Sequence, residues 1–106
     1  MWLFSKSGFF SAVQHKDNPG IIHVRARFNG DLERLCRTYG IEENVIHTPH
    51  NDYPFRMDFQ RQKWAEIVQM EAAGIDYENF KGMAHDGTSR DDAYMGCWFA
   101  LRRHQG

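Results

Sequence analysis

Two groups of residues in this chain carry side chains that could do chemistry. The first is His47-Thr48-Pro49-His50-Asn51-Asp52, which puts two imidazoles and a carboxylate into one loop. Imidazole nitrogen and carboxylate oxygen bind zinc and other divalent ions, so His47, His50 and Asp52 are candidate metal ligands, and a metal-dependent hydrolase is the activity they would serve. Their spacing matches no specific motif, and a hairpin tip rich in His, Pro, Asn and Asp is also what turn chemistry alone produces. His85 and Asp86 join such a site only if the fold brings them to it.

The second group is basic. From Ile21 to Phe28 apolar and polar residues alternate, which sets Ile22, Val24, Ala26 and Phe28 on one face of a strand and His23, Arg25 and Arg27 on the other. A second alternating run, Tyr53, Phe55, Met57 and Phe59 against Pro54, Arg56 and Asp58, adds Arg56 if the two strands are neighbours. Three guanidinium groups so placed suit phosphates or clustered carboxylates. Like charges at this spacing need an anion nearby. Either Asp58 and other acidic side chains offset them within the fold, leaving a solvated face, or an outside anion does.

Other chemistries find little support. Cys36 and Cys97 sit on apolar helical stripes, which predicts buried, reduced thiols rather than an exposed nucleophile beside a base. No glycine-rich phosphate loop, serine nucleophile elbow or paired-cysteine motif is present, and no cofactor is expected. The net charge of -1 excludes a strong overall attraction to nucleic acid or anionic membrane and leaves only local patches. Met1-Trp2-Leu3-Phe4-Ser5-Lys6 lacks the basic start and long apolar run of a signal peptide, and no stretch has the length of a membrane span, so a cytoplasmic setting is expected.

The elements that must position these residues follow from the same pattern. One α+β domain over residues 1–106 is predicted. Phe9 to His15 and Ile21 to Phe28 form a hairpin around the turn residues Lys16 to Gly20. Asn29 can cap a helix whose apolar residues are Leu32, Leu35, Cys36 and Tyr39 and whose end is Gly40. Val45 to Phe59 reads as a second hairpin. Arg61 to Ala73 is a helix with Trp64, Ile67, Val68 and Ala72 on its stripe, and Ser89 caps a third helix, with Asp92 at the capping-box position, that carries Tyr94, Cys97, Trp98 and Leu101. The segment Ile75 to Lys81 fits either a short helix or an ordered loop, and its Tyr77, Asn79, Phe80 and Lys81 offer a second contact surface. The order ββαββα plus a C-terminal helix predicts a four-stranded antiparallel sheet with helices on one face, a ferredoxin-like sandwich whose last strand has moved to the front.

The segments Gly8-Phe9-Phe10-Ser11, Val24-Arg25-Ala26-Arg27 with Asp31-Leu32, Asp52-Tyr53-Pro54-Phe55-Arg56, Asp76 to Lys81, and Asp92-Ala93-Tyr94 with Trp98 resemble a family of small uncharacterised proteins of bacteria and their phages. The resemblance spans most of the chain, implies a single domain and carries no catalytic residues over. A non-enzymatic protein that binds a protein or protein complex is the leading expectation, and in a phage setting an inhibitor of a host defence complex is a natural instance. A nucleic-acid or anionic-ligand module is the alternative, and the metal-dependent hydrolase comes third.

Overall fold

Five strands build one open antiparallel sheet: β1 (Trp2–Ser5), β2 (Gly8–Gln14), β3 (Ile21–Ala26), β4 (Ile46–His47) and β5 (Phe55–Gln60). The computed structural model describes residues 1–77 and 89–106. The helices among them are α1 (Asp31–Thr38), α2 (Arg61–Ala73) and α3 (Ser89–Arg103). The sheet, α1 and α2 form one compact unit, Met1–Gly74, and α3 belongs to a second, Ile75–Gly106.

The strand order is β1-β2-β3-β5-β4, and β3 and β5 pair at the sheet centre as the alternating sequence predicts. The sheet has five strands, not four. Trp2–Ser5 is apolar on both faces and so shows no alternation, yet it pairs with β2 from Trp2↔Ser11 to Ser5↔Gly8, and the Met1 ammonium donates to the Ala12 carbonyl at 2.9 Å. At the other edge the expected strand shrinks to the two residues of β4. The β2–β3 turn is closed by Asn18, whose Oδ1 accepts from the Gly20 N–H at 2.9 Å. Arg61 ties the same hairpin to the start of α2, donating to the Pro19 carbonyl at 2.8 Å and to Gln14 Oε1 at 2.6 Å.

One face of the sheet makes the core. Phe10 and Ala12, Ile22, Val24 and Ala26, and Met57 and Phe59 pack against Leu32, Leu35 and Cys36 of α1 and Trp64 and Ile67 of α2. Each large side chain so buried contributes about 1.5–3 kcal/mol. Both helices therefore lie on this face, and the outward positions of β3 and β5 remain for other work.

The ends of α1 show how its place is set. Gly30, with φ of 92°, precedes its first residue and there is no side-chain cap, so Asn29 does not have the capping role expected of it. Asp31 is instead fully buried, its carboxylate accepting from the Phe9 N–H at 3.3 Å and from Arg34 at 2.9 Å. At the other end Gly40, with φ of 64°, lets the Ile41 N–H reach the Cys36 carbonyl at 2.9 Å and closes the last turn. α2 follows β5 without a loop and stops at Gly74, within the predicted bounds.

The second unit departs from expectation. Trp98 is 41% exposed instead of buried, and Cys97 is half-buried, while Tyr94 is buried. The cause is visible in the sequence of α3: Met95, Phe99 and Ala100 stand between the expected stripe positions, so apolar residues surround the helix and no single face has to be the inner one. Tyr77 is fully exposed. Asn79, Phe80, Lys81, His85 and Asp86 lie outside the described residues. No helix among the described residues is long and apolar enough to cross a membrane.

Candidate functional site

The antiparallel register places Trp2, Ser11, Arg25, Arg56 and Ile46 in one row across all five strands, on the face opposite the core. Arg25 of β3 and Arg56 of β5 are direct partners in this row, so the juxtaposition that alternation predicts is present. The next row along these strands holds Val13, His23 and Asp58.

The charges on this face are treated unequally. His23 Nδ1 lies 2.5 Å from Asp58 Oδ1. Arg27 forms a two-pronged pair with Asp52, Nη1 to Oδ1 at 3.0 Å and Nη2 to Oδ2 at 3.4 Å, and also donates to the Asp52 carbonyl oxygen. The hydrogen bond to Asp52, opposed by burial, holds the Arg27 guanidinium above its ordinary range, so it is charged at every accessible pH. Arg25 and Arg56 have no carboxylate partner among the described residues, and the Nε of each is shielded from solvent without a hydrogen-bond acceptor. The acidic side chains nearest in sequence thus neutralise the margins of the patch and leave its centre positive.

Two residues that sequence reasoning did not single out hold this centre in shape. Tyr53 was expected in line with Phe55, Met57 and Phe59 on the core face. β5 begins only at Phe55, and the preceding bend turns Tyr53 to the other side, where it is buried beneath two guanidinium groups: Arg25 Cζ stands 4.6 Å and Arg27 Cζ 4.2 Å from its ring centroid. Ser11, also buried, accepts a hydrogen bond from Arg25 Nη2 at 2.8 Å. Beyond Tyr53 the face becomes aromatic. Phe9 is buried among Tyr53, Phe4 and Trp2, stacked on Phe4 at 4.4 Å and edge-on to Trp2 at 5.5 Å. The Ser11 hydroxyl was legible as an outward β2 position, but the Tyr53 contact depends on a bend that carries no specific sequence signal.

No protein-family model, curated protein or solved structure matches this chain. The functional reading therefore stands on the side chains themselves.

In the histidine loop the side chains have other partners. The His47 ring stacks on Phe55, with centroids 4.7 Å apart and planes 5° from parallel, and the Asp52 carboxylate is engaged by Arg27. His50 lies in the turn between them. Among the described residues no three His, Cys, Asp or Glu side chains are grouped so as to hold a metal ion. The arrangement of Arg25, Arg56, Arg27, Tyr53 and Ser11 is suited to holding an anion: fixed donors, concentrated positive charge and an aromatic floor.

Proposed function

We propose that this protein is a non-enzymatic binding module whose outer sheet face takes an anionic surface of a protein partner through Arg25, Arg27 and Arg56, with His23 at its margin. The observation that carries this reading is the unbalanced centre. Arg25 and Arg56 are opposed across adjacent strands without a carboxylate among the described residues, although Asp52 and Asp58 are close enough in the fold to serve their neighbours. Arg25 and Arg56 are half-buried, where an unpaired charge is less well screened than at the open surface, so a pair without an internal carboxylate is available to an outside anion.

The scaffold reading is part of the same proposal. The order β2-β3-β5-β4 with α1 and α2 on one face supports reading it as a ferredoxin-like sandwich with its last strand moved to the front, extended by β1 at one edge. Such a sandwich leaves one sheet face open for contact.

Capture of the partner from the native host, with the unmodified protein and with Arg25→Glu/Arg27→Glu/Arg56→Glu, tests the function. A stoichiometric protein partner lost by the folded triple variant, and progressively lost as salt rises, is the expected result. Undiminished capture by the triple variant moves the interaction elsewhere, and co-purified nucleic acid in place of protein replaces the protein partner with a nucleic-acid one.

A further inference from the structure

We propose that Arg25 and Arg56 together hold one terminal phosphate group. The inference rests on the reading that this face takes an anion, and it adds the chemical class of that anion.

Register partners on adjacent antiparallel strands have Cβ atoms about 5 Å apart, a separation that an arginine side chain can span, so one anion above the outer face is within reach of Arg56 and of the Arg25 nitrogens that Ser11 does not engage. Arg25 is fixed before any ligand arrives, by the Ser11 hydroxyl at 2.8 Å and by the Tyr53 ring at 4.6 Å, and both anchors are buried. An arginine held in this way loses little further freedom on binding. The arrangement also works against the folded state: two like charges stand opposite each other, and each Nε is a buried donor without an acceptor. Ser11 and Tyr53 compensate Arg25 only in part, and local features of this kind that oppose stability are concentrated at sites of function.

The charge decides the ligand. The pair brings two positive charges to one point. A carboxylate offsets one of them, and a phosphodiester likewise carries a single charge. A terminal phosphate above its second pKa, near ~6, carries close to two charges and three acceptor oxygens, enough for two guanidinium groups at once. Arg27, already paired with Asp52, contributes to the surrounding field.

Thermal unfolding of the whole chain at pH 7.5, titrated with sodium phosphate against sodium chloride of equal ionic strength, tests this without any partner. The expected result is a saturable rise in midpoint with phosphate beyond that in chloride, with dimethyl phosphate at least about tenfold weaker because it lacks one charge-assisted contact. Arg56→Thr should melt above the unmodified protein in chloride, since the like-charge pair is gone, and lose the phosphate response. Tighter binding of O-phosphoserine than of inorganic phosphate assigns the group to a protein side chain, and the reverse assigns a free phosphate ligand. Coincident phosphate and chloride curves, equal responses to phosphate and dimethyl phosphate, or a full phosphate response in Arg56→Thr overturn the proposal. Since no partner enters this titration, its failure leaves the protein-binding reading to the triple variant.

Discussion

The Gly8 backbone passes so close to the Asp31 carboxylate that a methyl group on Gly8 would sit 2.6 Å from Oδ2. The φ of Gly8, 146°, is also one that residues with a Cβ rarely adopt, and the next N–H donates to the same carboxylate oxygen. The start of β2 and the first turn of α1 are thereby locked together through a buried charge. Gly8→Ala is expected to cost at least about 2 kcal/mol in urea unfolding, combining backbone strain with displacement of Asp31. Gly96 supplies the contrast. It lies in α3 with open space around its Cα, so Gly96→Ala should strengthen that helix by about 0.5–1 kcal/mol, read as increased helical circular dichroism on warming.

Trp64 and Trp98 occupy similar places in their helical sequences and different places in the structure. Trp64 is 5% exposed and packs edge-on to Phe10 and obliquely to Phe59. Its replacement by alanine should cost about 3–5 kcal/mol. Trp98→Ala, at a position 41% exposed, should cost about 1 kcal/mol. Chemical denaturation of the two variants side by side separates these values, and equal losses would contradict the placement of Trp98.

Tyr39, Glu71 and Ser5 couple the end of α1 to α2 and β1 through one carboxylate. Ser5 Oγ donates to Glu71 Oε1 at 2.6 Å, and the Tyr39 hydroxyl donates to Oε2. Burial pushes the Tyr39 hydroxyl up to about 12, aided by the hydrogen bond to Glu71 and its charge. Burial also pushes the Glu71 carboxyl up, but the hydrogen bonds from Ser5 and Tyr39 outweigh it and leave that group below its ordinary range. The Tyr39 contribution to stability is complete below pH 10 and is lost as pH rises from 10 to 12, because the folded protein holds that proton more tightly than the unfolded chain. The Glu71 contribution is present above the ordinary carboxylate range and is lost as pH falls through the depressed value. Urea midpoints across pH should show a shallower alkaline decline in Tyr39→Phe and a shallower acid decline in Glu71→Gln.

The two thiols should react at different rates. Cys36 is fully buried, 3.5 Å from Met57 Sδ, and burial, with the nearby charges of Glu43 and Glu33, raises its pKa. Cys97 is half-buried. A thiol reagent at neutral pH should modify Cys97 in the native protein and reach Cys36 only when denaturant is added. Mass mapping of the modified peptide checks the order.

The sequence was readable where one face of an element is buried and the other is not. β3 and α2 show this most plainly: Ile22, Val24 and Ala26 at every second position, and Trp64 and Ile67 at helical spacing, leave one orientation each. From the same alternation the opposition of Arg25 and Arg56 could be anticipated, because inward packing fixes which side chains face outward. β1 was illegible since Trp2, Leu3 and Phe4 are apolar on both faces and Lys6-Ser7 is not a turn pair with a strong preference. Strand periodicity sets Tyr53 on the core face, but pairing ends at Phe55, and beyond the ladder alternation no longer decides which side a residue faces. The burial of Asp31 depends on Phe9 and Arg34, partners that the helix sequence alone does not reveal as neighbours.

β2 and β3 are joined by a short turn, whereas β3 and β5 are separated by α1 and β4, so the central ladder must close a much longer loop. The β2–β3 hairpin can form first, and until β5 arrives the second edge of β3 is bare. That edge belongs to the run Ile21-Ile22-His23-Val24-Arg25-Ala26, which is rich in β-branched residues and open to pairing with another chain. His23 and Arg25 interrupt its apolar character at alternate positions, so the same side chains that charge the outer face also guard the nascent strand against aggregation.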